Sequence, residues 1–423
     1  MIPRRKLDIG WRDLFFGAVA CLIRGNRQSI HRFCLEHLAL QSEASVFLSI
    51  RSAFDALLST HAYPQGGEIL VSAITIPDML VIIREHGLVP VPVDLDPHTL
   101  RPDLSSLEAG ISDRTVALLV THLFGGRVPM DPIVSLAEAH GLFTIEDCAE
   151  GYWGDGYSGH PQSDACLLSF GPIKLNTSLG GGVLILRNSH LRNRVEDRHA
   201  SYPVQSAWTF FQRVMKSAFV MALSKRLPYT LLCGACRLAG KPPDAIIYWA
   251  TRGFTGPEML SRIRQQPSAA LLSLMSRRHR TSPVQRIDEH RRTGEYVLAR
   301  MPGVSCPGGG RRHSYWLFAI RVSNARNLCK LLHQSGFDAH TWPRSLCVVP
   351  APPDALHMLP ANALSLKNQL LFLPVYPEVR SPRLDDLARL IRLHGRPVQD
   401  LSDLTSSVRN PATVVLKTES AST

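Results

Sequence analysis

The stretch Ile145-Glu146-Asp147-Cys148-Ala149-Glu150, followed by Ser169-Phe170-Gly171-Pro172-Ile173-Lys174 and then Gly180-Gly181-Gly182, decides how this chain is read. Short apolar runs precede its polar residues: Phe143–Ile145 lies before Asp147, and Ala165–Leu168 lies before Ser169. Read as strands of one sheet, these runs put Asp147 and Ser169 at carboxyl ends, where open α/β sheets bind ligands. A lysine close behind such a strand, in a glycine-bounded loop, can reach back into the crevice and form an imine with an aldehyde. For that it must be deprotonated, and a desolvated site lowers its pKa. An aromatic ring held there withdraws electrons only if its pyridine nitrogen stays protonated, which requires a nearby carboxylate. Asp147 is the candidate. Taken singly, Lys174 reads as a surface lysine and Asp147 as a helix cap, but their joint arrangement favours the chemistry.

Outward from this stretch, short apolar runs alternate with helical patterns from Glu68 to Leu186. That alternation is the signature of βα units and a mostly parallel sheet. Strands are expected at Ile69–Ser72, Val89–Val93, Ala117–Thr121, Phe143–Ile145, Ala165–Leu168 and Val183–Leu186. Helices are expected at Asp78–His86 and Asp131–His140, closed by Gly87 and Gly141. At 423 residues the chain exceeds the size at which a single core stops growing. The expected division is an N-terminal helical segment (1–40), a large α/β domain (41–279), a small C-terminal α+β domain (280–396) and a disordered tail (397–423). Within the large domain, residues 191–253 carry Phe210, Phe211, Val214, Met215, Phe219, Val220 and Leu223 at helical spacing among Arg213, Lys216, Lys225 and Arg226. This amphipathic, basic insertion fits packing against the protein or a partner subunit; peripheral contact with a membrane or a lipid-linked substrate is the alternative.

The formal charge of +12 implies an anionic partner somewhere. No RNA-binding or zinc-finger signature accompanies it and the basic residues are scattered, so no nucleic acid partner is expected. The nine cysteines, an odd number along a long chain, favour reduced thiols and a cytoplasmic location. Cys233 and Cys236 form a lone CxxC without a second ligand pair, so no metal is expected. Arg4, Arg5 and Lys6 precede an apolar run, Leu14–Ile23, but the intervening Asp8, Arg12 and Asp13 favour a docked helix over a signal peptide.

A phosphate wants hydroxyls and backbone N–H groups at a helix start. Ser169 offers one hydroxyl; Ser52, with Arg51 adding charge, offers another or is a plain N-cap. Together with Pro92-Val93-Asp94-Leu95-Asp96, Thr121-His122-Leu123-Phe124-Gly125 and Met130-Asp131, the opening stretch resembles the DegT/DnrJ/StrS family of fold-type-I sugar aminotransferases. The resemblance implies pyridoxal 5'-phosphate as cofactor: Lys174 as its covalent anchor, Asp147 at the ring nitrogen and Ser169 at the phosphate. It also implies a homodimer, an amino-acid donor such as glutamate or glutamine, and a nucleotide-linked keto sugar as acceptor. A cyclitol, a lipid-linked ketone, or a non-catalytic ligand sensor on the same fold are the alternatives.

Three departures stand out. Arg51-Ser52 replaces the usual Gly-Thr or Gly-Ser. Glu150 replaces a glutamine that donates to the ring oxygen, so Glu150 is either protonated, or turned toward Arg51 or another cation, or differently placed. The usual Asn-Tyr-Arg segment gives way to Arg262-Ile263-Arg264-Gln265-Gln266-Pro267-Ser268, whose arginines are candidates for substrate phosphate. His313 is a further substrate-binding candidate, in a His313-Ser314-Tyr315-Trp316 segment that resembles the family's C-terminal domain.

Overall fold

The computed structural model describes residues 1–23, 25–37, 43–238, 258–280, 283–309 and 313–398. The expectation for the tail from 399 onward, and for 239–253 of the basic insertion, lies outside the described residues.

The strands follow in the order β1 (Ala44–Phe47), β2 (Glu68–Ser72), β3 (Ile74–Thr75), β4 (Val89–Val93), β5 (Thr115–Thr121), β6 (Phe143–Asp147), β7 (Ala165–Ser169) and β8 (Gly182–Leu186). All but β3 join a seven-stranded sheet ordered β1-β8-β7-β6-β5-β2-β4. The block from β4 to β7 is parallel, β8 runs antiparallel to β7, and β1 antiparallel to β8. Helices cover both faces, so the strands read as continuous apolar runs such as Val183-Leu184-Ile185-Leu186. The expected strands are all present. β6 and β7 run on into polar residues, so Asp147 and Ser169 are the last residues of their strands rather than the first beyond them.

The N-terminal helices are α1 (Trp11–Ala20) and α2 (Arg27–His37). Then come α3 (Ile50–His61), α4 (Pro77–Glu85), α5 (Leu104–Ala109), α6 (Asp131–Ala139) and α7 (Ser189–Ala200). Ser49 caps α3, its hydroxyl accepting from Ser52 N, and Pro77 starts α4, where its missing N–H is no loss. Gly182 is forced by close approach: a Cβ there would lie 2.5 Å from the backbone of Ser49 and Ile50. Only a glycine lets β8 pass the first turn of α3, and this contact fixes that turn over the carboxyl ends of the strands.

Within the basic insertion, after α7, the described residues form α8 (Ala207–Leu223), capped by Ser206, and α9 (Arg226–Leu238). α8 packs on α1, and α9 on α8. Cys233 and Cys236 are buried on α9, and all nine cysteines are free thiols. Among the described residues no helix is long and apolar enough to cross a membrane.

C-terminally, β9 (Phe318–Arg321) pairs antiparallel with β11 (Leu370–Leu373), and the helices Ala325–Gln334 and Ser381–His394 bury Leu328, Leu332, Leu387 and Ile391 against them. β10 (Cys347–Val348) pairs back with β3, which carries the segment 340–346 to the edge of the large sheet. The first residues also leave the N-terminal helical segment. Ile2 exchanges backbone hydrogen bonds with Gly336 and Asp338, so residues 3–7 cross from the C-terminal core to the ends of the strands.

Candidate active site

A cleft of about 410 Å³ opens beyond the carboxyl ends of β5, β6 and β7. The register sets Thr121, the last residue of β5, beside Asp147, the last of β6. Asp147 is buried, and its Oδ1 accepts from Ala149 N at 2.9 Å. Burial pushes its carboxyl pKa up; the nearby Lys174 cation opposes that rise.

Lys174 sits in the loop after β7, and other segments clamp the loop. Thr177 Oγ1 donates to Gly171 O at 2.6 Å, and Asn176 N donates to Asp8 Oδ2 at 2.6 Å. Trp316 Nε1 and Arg5 Nη1 both donate to Ile173 O, at 2.9 and 3.1 Å. Lys174 Nζ lies 3.4 Å from Glu150 Oε1 and 4.1 Å from the centre of the Trp316 ring. Burial lowers the Lys174 pKa, Glu150 and Asp147 pull it back up, and Arg5 lowers it further. Arg5 is itself pushed down to about 10 by burial, with Glu150 opposing. Glu150 therefore turns toward Lys174 rather than Arg51. Its other oxygen accepts from Phe124 N at 2.8 Å, a bond made possible by the left-handed backbone of Phe124 (φ 58°).

This arrangement fixes a sign. Glu150 stabilises the lysine cation, so Glu150→Gln is expected to lower the Lys174 pKa. The neutral amine is then available at lower pH, and the acid limb of pyridoxal phosphate capture by the apoprotein moves to lower pH. Capture rate against pH, followed by visible absorbance, reads this directly; an unmoved limb, or one moved to higher pH, contradicts the pairing.

Ser169 and Arg51 also line the cleft, Arg51 with its Nε on Asp78 Oδ2 at 2.6 Å. Ser52 does not. It is fully buried, with its hydroxyl 3.0 Å from Ser49 Oγ, so it belongs to the cap of α3. Arg264 is held bidentately by buried Asp55 at 2.9 Å, and Arg262 pairs with Glu258 on its own short helix. Neither lines this cleft. His313 is also outside it: its Nδ1 accepts from Tyr315 N, and burial lowers its pKa to about 4.

Sequence reasoning assigned no role to four cleft residues. Arg5 and Trp316 form a wall, the guanidinium 4.2 Å over the indole. Thr75 and Thr121 contribute buried hydroxyls that make no hydrogen bond within the described residues. Buried hydroxyls without partners cost free energy, so their place beside Asp147 and Lys174 fits a polar ligand. An amine, a carboxylate, serine and arginine donors and two orphaned hydroxyls suit a phosphorylated pyridine aldehyde.

The fold is that of the fold-type-I aminotransferases. Residues 37–215 match the model of the DegT/DnrJ/EryC1/StrS aminotransferase family, whose members are pyridoxal phosphate-dependent. It is 35% identical over 138 residues to L-glutamine:2-deoxy-scyllo-inosose aminotransferase of Streptomyces lividus, covering 32% of each chain. It is 33% identical over 133 residues to GDP-perosamine synthase of Escherichia coli O157:H7, covering 31% of this chain and 36% of that one. The matched stretch thus spans about a third of these relatives' length. The crystal structure of sugar aminotransferase CalS13 from Micromonospora echinospora superposes with a TM-score of 0.64 at 19% identity, over 93% of this chain and all of that one. The last likeness concerns the fold alone.

Proposed function

We propose that this protein transfers an amino group from glutamate or glutamine to a keto sugar carried on a nucleotide diphosphate, using pyridoxal 5'-phosphate. The observation that carries the reading is the meeting of Lys174, Asp147 and Ser169 in one cleft with the orphaned hydroxyls of Thr75 and Thr121. Lys174 would hold the cofactor covalently, Asp147 would face its ring nitrogen, and Ser169 and Arg51 would hold its phosphate. When bound, the cofactor supplies an electron sink that acidifies the C–H bond of the donor amine.

The chain's own residues then divide the work. Lys174, with its depressed pKa, is the base that would take the proton from that carbon and deliver it to the cofactor's C4′. Asp147, buried, would in its ionised form keep a proton on the facing nitrogen. Glu150 orients the lysine amine, and the Arg5–Trp316 wall keeps water from it. The family match over residues 37–215 and the positive charge support a diphosphate acceptor. The unit we propose is a homodimer in the cytoplasm.

A cyclitol or a ketone with an apolar portion is the second reading. It is favoured by Val220, Leu223 and Leu232, which make the α8–α9 side of the cleft apolar, and by the inosose substrate in the name of one relative. In the test, the pyridoxal phosphate-loaded protein receives glutamate or glutamine while its visible absorbance is followed. Bleaching is expected, and the ketone that restores the band from a panel of nucleotide-diphosphate keto sugars and 2-deoxy-scyllo-inosose identifies the acceptor. A band that no donor bleaches ends the transfer reading.

A further inference from the structure

We infer that α1, α8 and α9 form a face that docks on an anionic lipid bilayer. The inference is independent of which ketone is aminated. α8 buries Phe210, Val214, Ser217 and Met221 toward the protein, and Gly17 of α1 lets Val214 approach closely. The other side of α8 presents Trp208, Met215 and Phe219 to solvent, spaced by seven and four residues. α9 repeats the device with Leu227, Leu231 and Leu238, and α1 with Trp11 and Phe15. Spacings of four and seven put each set on one helical face. The exposure is large: Phe15 is 73% exposed, Phe219 63% and Leu227 74%. Soluble surfaces scatter such residues singly; three helices packed in series, each with an apolar stripe, are a different arrangement.

Charge selects the occupant. No aspartate or glutamate occurs anywhere from Arg198 to Pro243, which includes all of α8 and α9, nor from Leu14 to Leu35. Exposed Arg12, Lys225 and Arg226 border the apolar stripes. An exposed apolar surface edged by cations, the one acid of α1, Asp13, being buried against Arg277 and Arg278, complements acyl chains beneath anionic headgroups. A second copy of the chain would bring the same basic face against itself, which like-charge repulsion opposes. The opposite side of the hairpin lines the catalytic cleft through Val220, Leu223 and Leu232.

Flotation of the full chain with vesicles tests the inference. Equimolar phosphatidylglycerol and phosphatidylcholine vesicles are expected to carry the protein, and pure phosphatidylcholine vesicles about tenfold less. The variant Phe15→Ser/Phe219→Ser/Leu227→Ser is expected to lose at least about tenfold in partitioning. Lys225→Gln/Arg226→Gln should lose about fivefold per charge, an effect that added salt reproduces in the parent. All the altered side chains are exposed, so circular dichroism and the thermal midpoint should match the parent. Failure of the parent to float on the anionic vesicles, or flotation that neither variant weakens, overturns the inference. So does a parent oligomer that the triple variant dissolves to monomers, which gives the face to a second copy.

Discussion

Replacing Lys174 with Ala is expected to reduce transamination by about 10⁴-fold, the upper end for loss of a positioned acid–base group. It should also abolish the visible absorbance of bound pyridoxal phosphate. Both effects follow from one amine. Its position in the loop after β7 is fixed from three directions: by Thr177 from its own loop, by Asp8 and Arg5 from the N-terminal segment, and by Trp316 from just before β9. Lys174→Arg separates charge from chemistry. The guanidinium can keep the pairing with Glu150 and the stacking on Trp316, yet it stays protonated and cannot bond an aldehyde. It should be as inactive as the alanine variant while folding normally. Borohydride treatment followed by peptide mass analysis gives a readout free of turnover, with the pyridoxyl mass on the Lys174 peptide in the parent and absent from both variants. A variant that keeps the visible band and turns over within about tenfold of the parent would remove Lys174 from its role.

The residues that sequence reasoning reached, and those it missed, differ in how far apart along the chain the site is assembled. Asp147, Ser169 and Lys174 lie within 28 positions and announce themselves through local pattern, an apolar run ending in a polar residue. The strands continue to these very residues because Asp147 pairs with Thr121 and Leu167, and Ser169 with Gly182, which no local pattern reveals. Arg5 and Trp316 are separated by 311 residues. In sequence Arg5 belongs to a basic cluster before an apolar helix; only the anchoring of Ile2 on the C-terminal core draws it across the cleft.

The same limit explains the candidates that the fold directs elsewhere. Arg264 looked available for phosphate because its partner, Asp55, is 209 positions away in a helix whose burial is a tertiary fact. Once Asp55 is buried, it requires the arginine, since an uncompensated buried carboxylate is costly. Ser52 had two readings as a helix-start hydroxyl, and Ser49 settled them by taking the cap position. Glu150 was the clearest departure from the family pattern. Its explanation needed the left-handed turn at Phe124, which a non-glycine residue does not advertise.

Asp147→Asn is expected to lower kcat by about 10²–10³-fold, the usual range for removing one preorganised electrostatic group. The KM for the amino donor should change little. The substitution is nearly isosteric, and the amide oxygen can still accept from Ala149 N as Oδ1 does now, so β6 and the turn after it should hold. What is lost, in the proposed role, is the negative charge that would keep a proton on the ring nitrogen. Because that charge acts on the reacting electrons and not on donor binding, the loss should fall on kcat. The pH profile provides a second, independent reading. Burial raises the Asp147 pKa, and activity depends on its ionised form, so the parent should lose activity as pH falls through that raised value. The asparagine variant has nothing to titrate there, and its residual activity should lack that limb. Retention of the same acid limb, or of kcat within about tenfold, would show that another group protonates the ring, and Asp147 would then be only the structural end of β6.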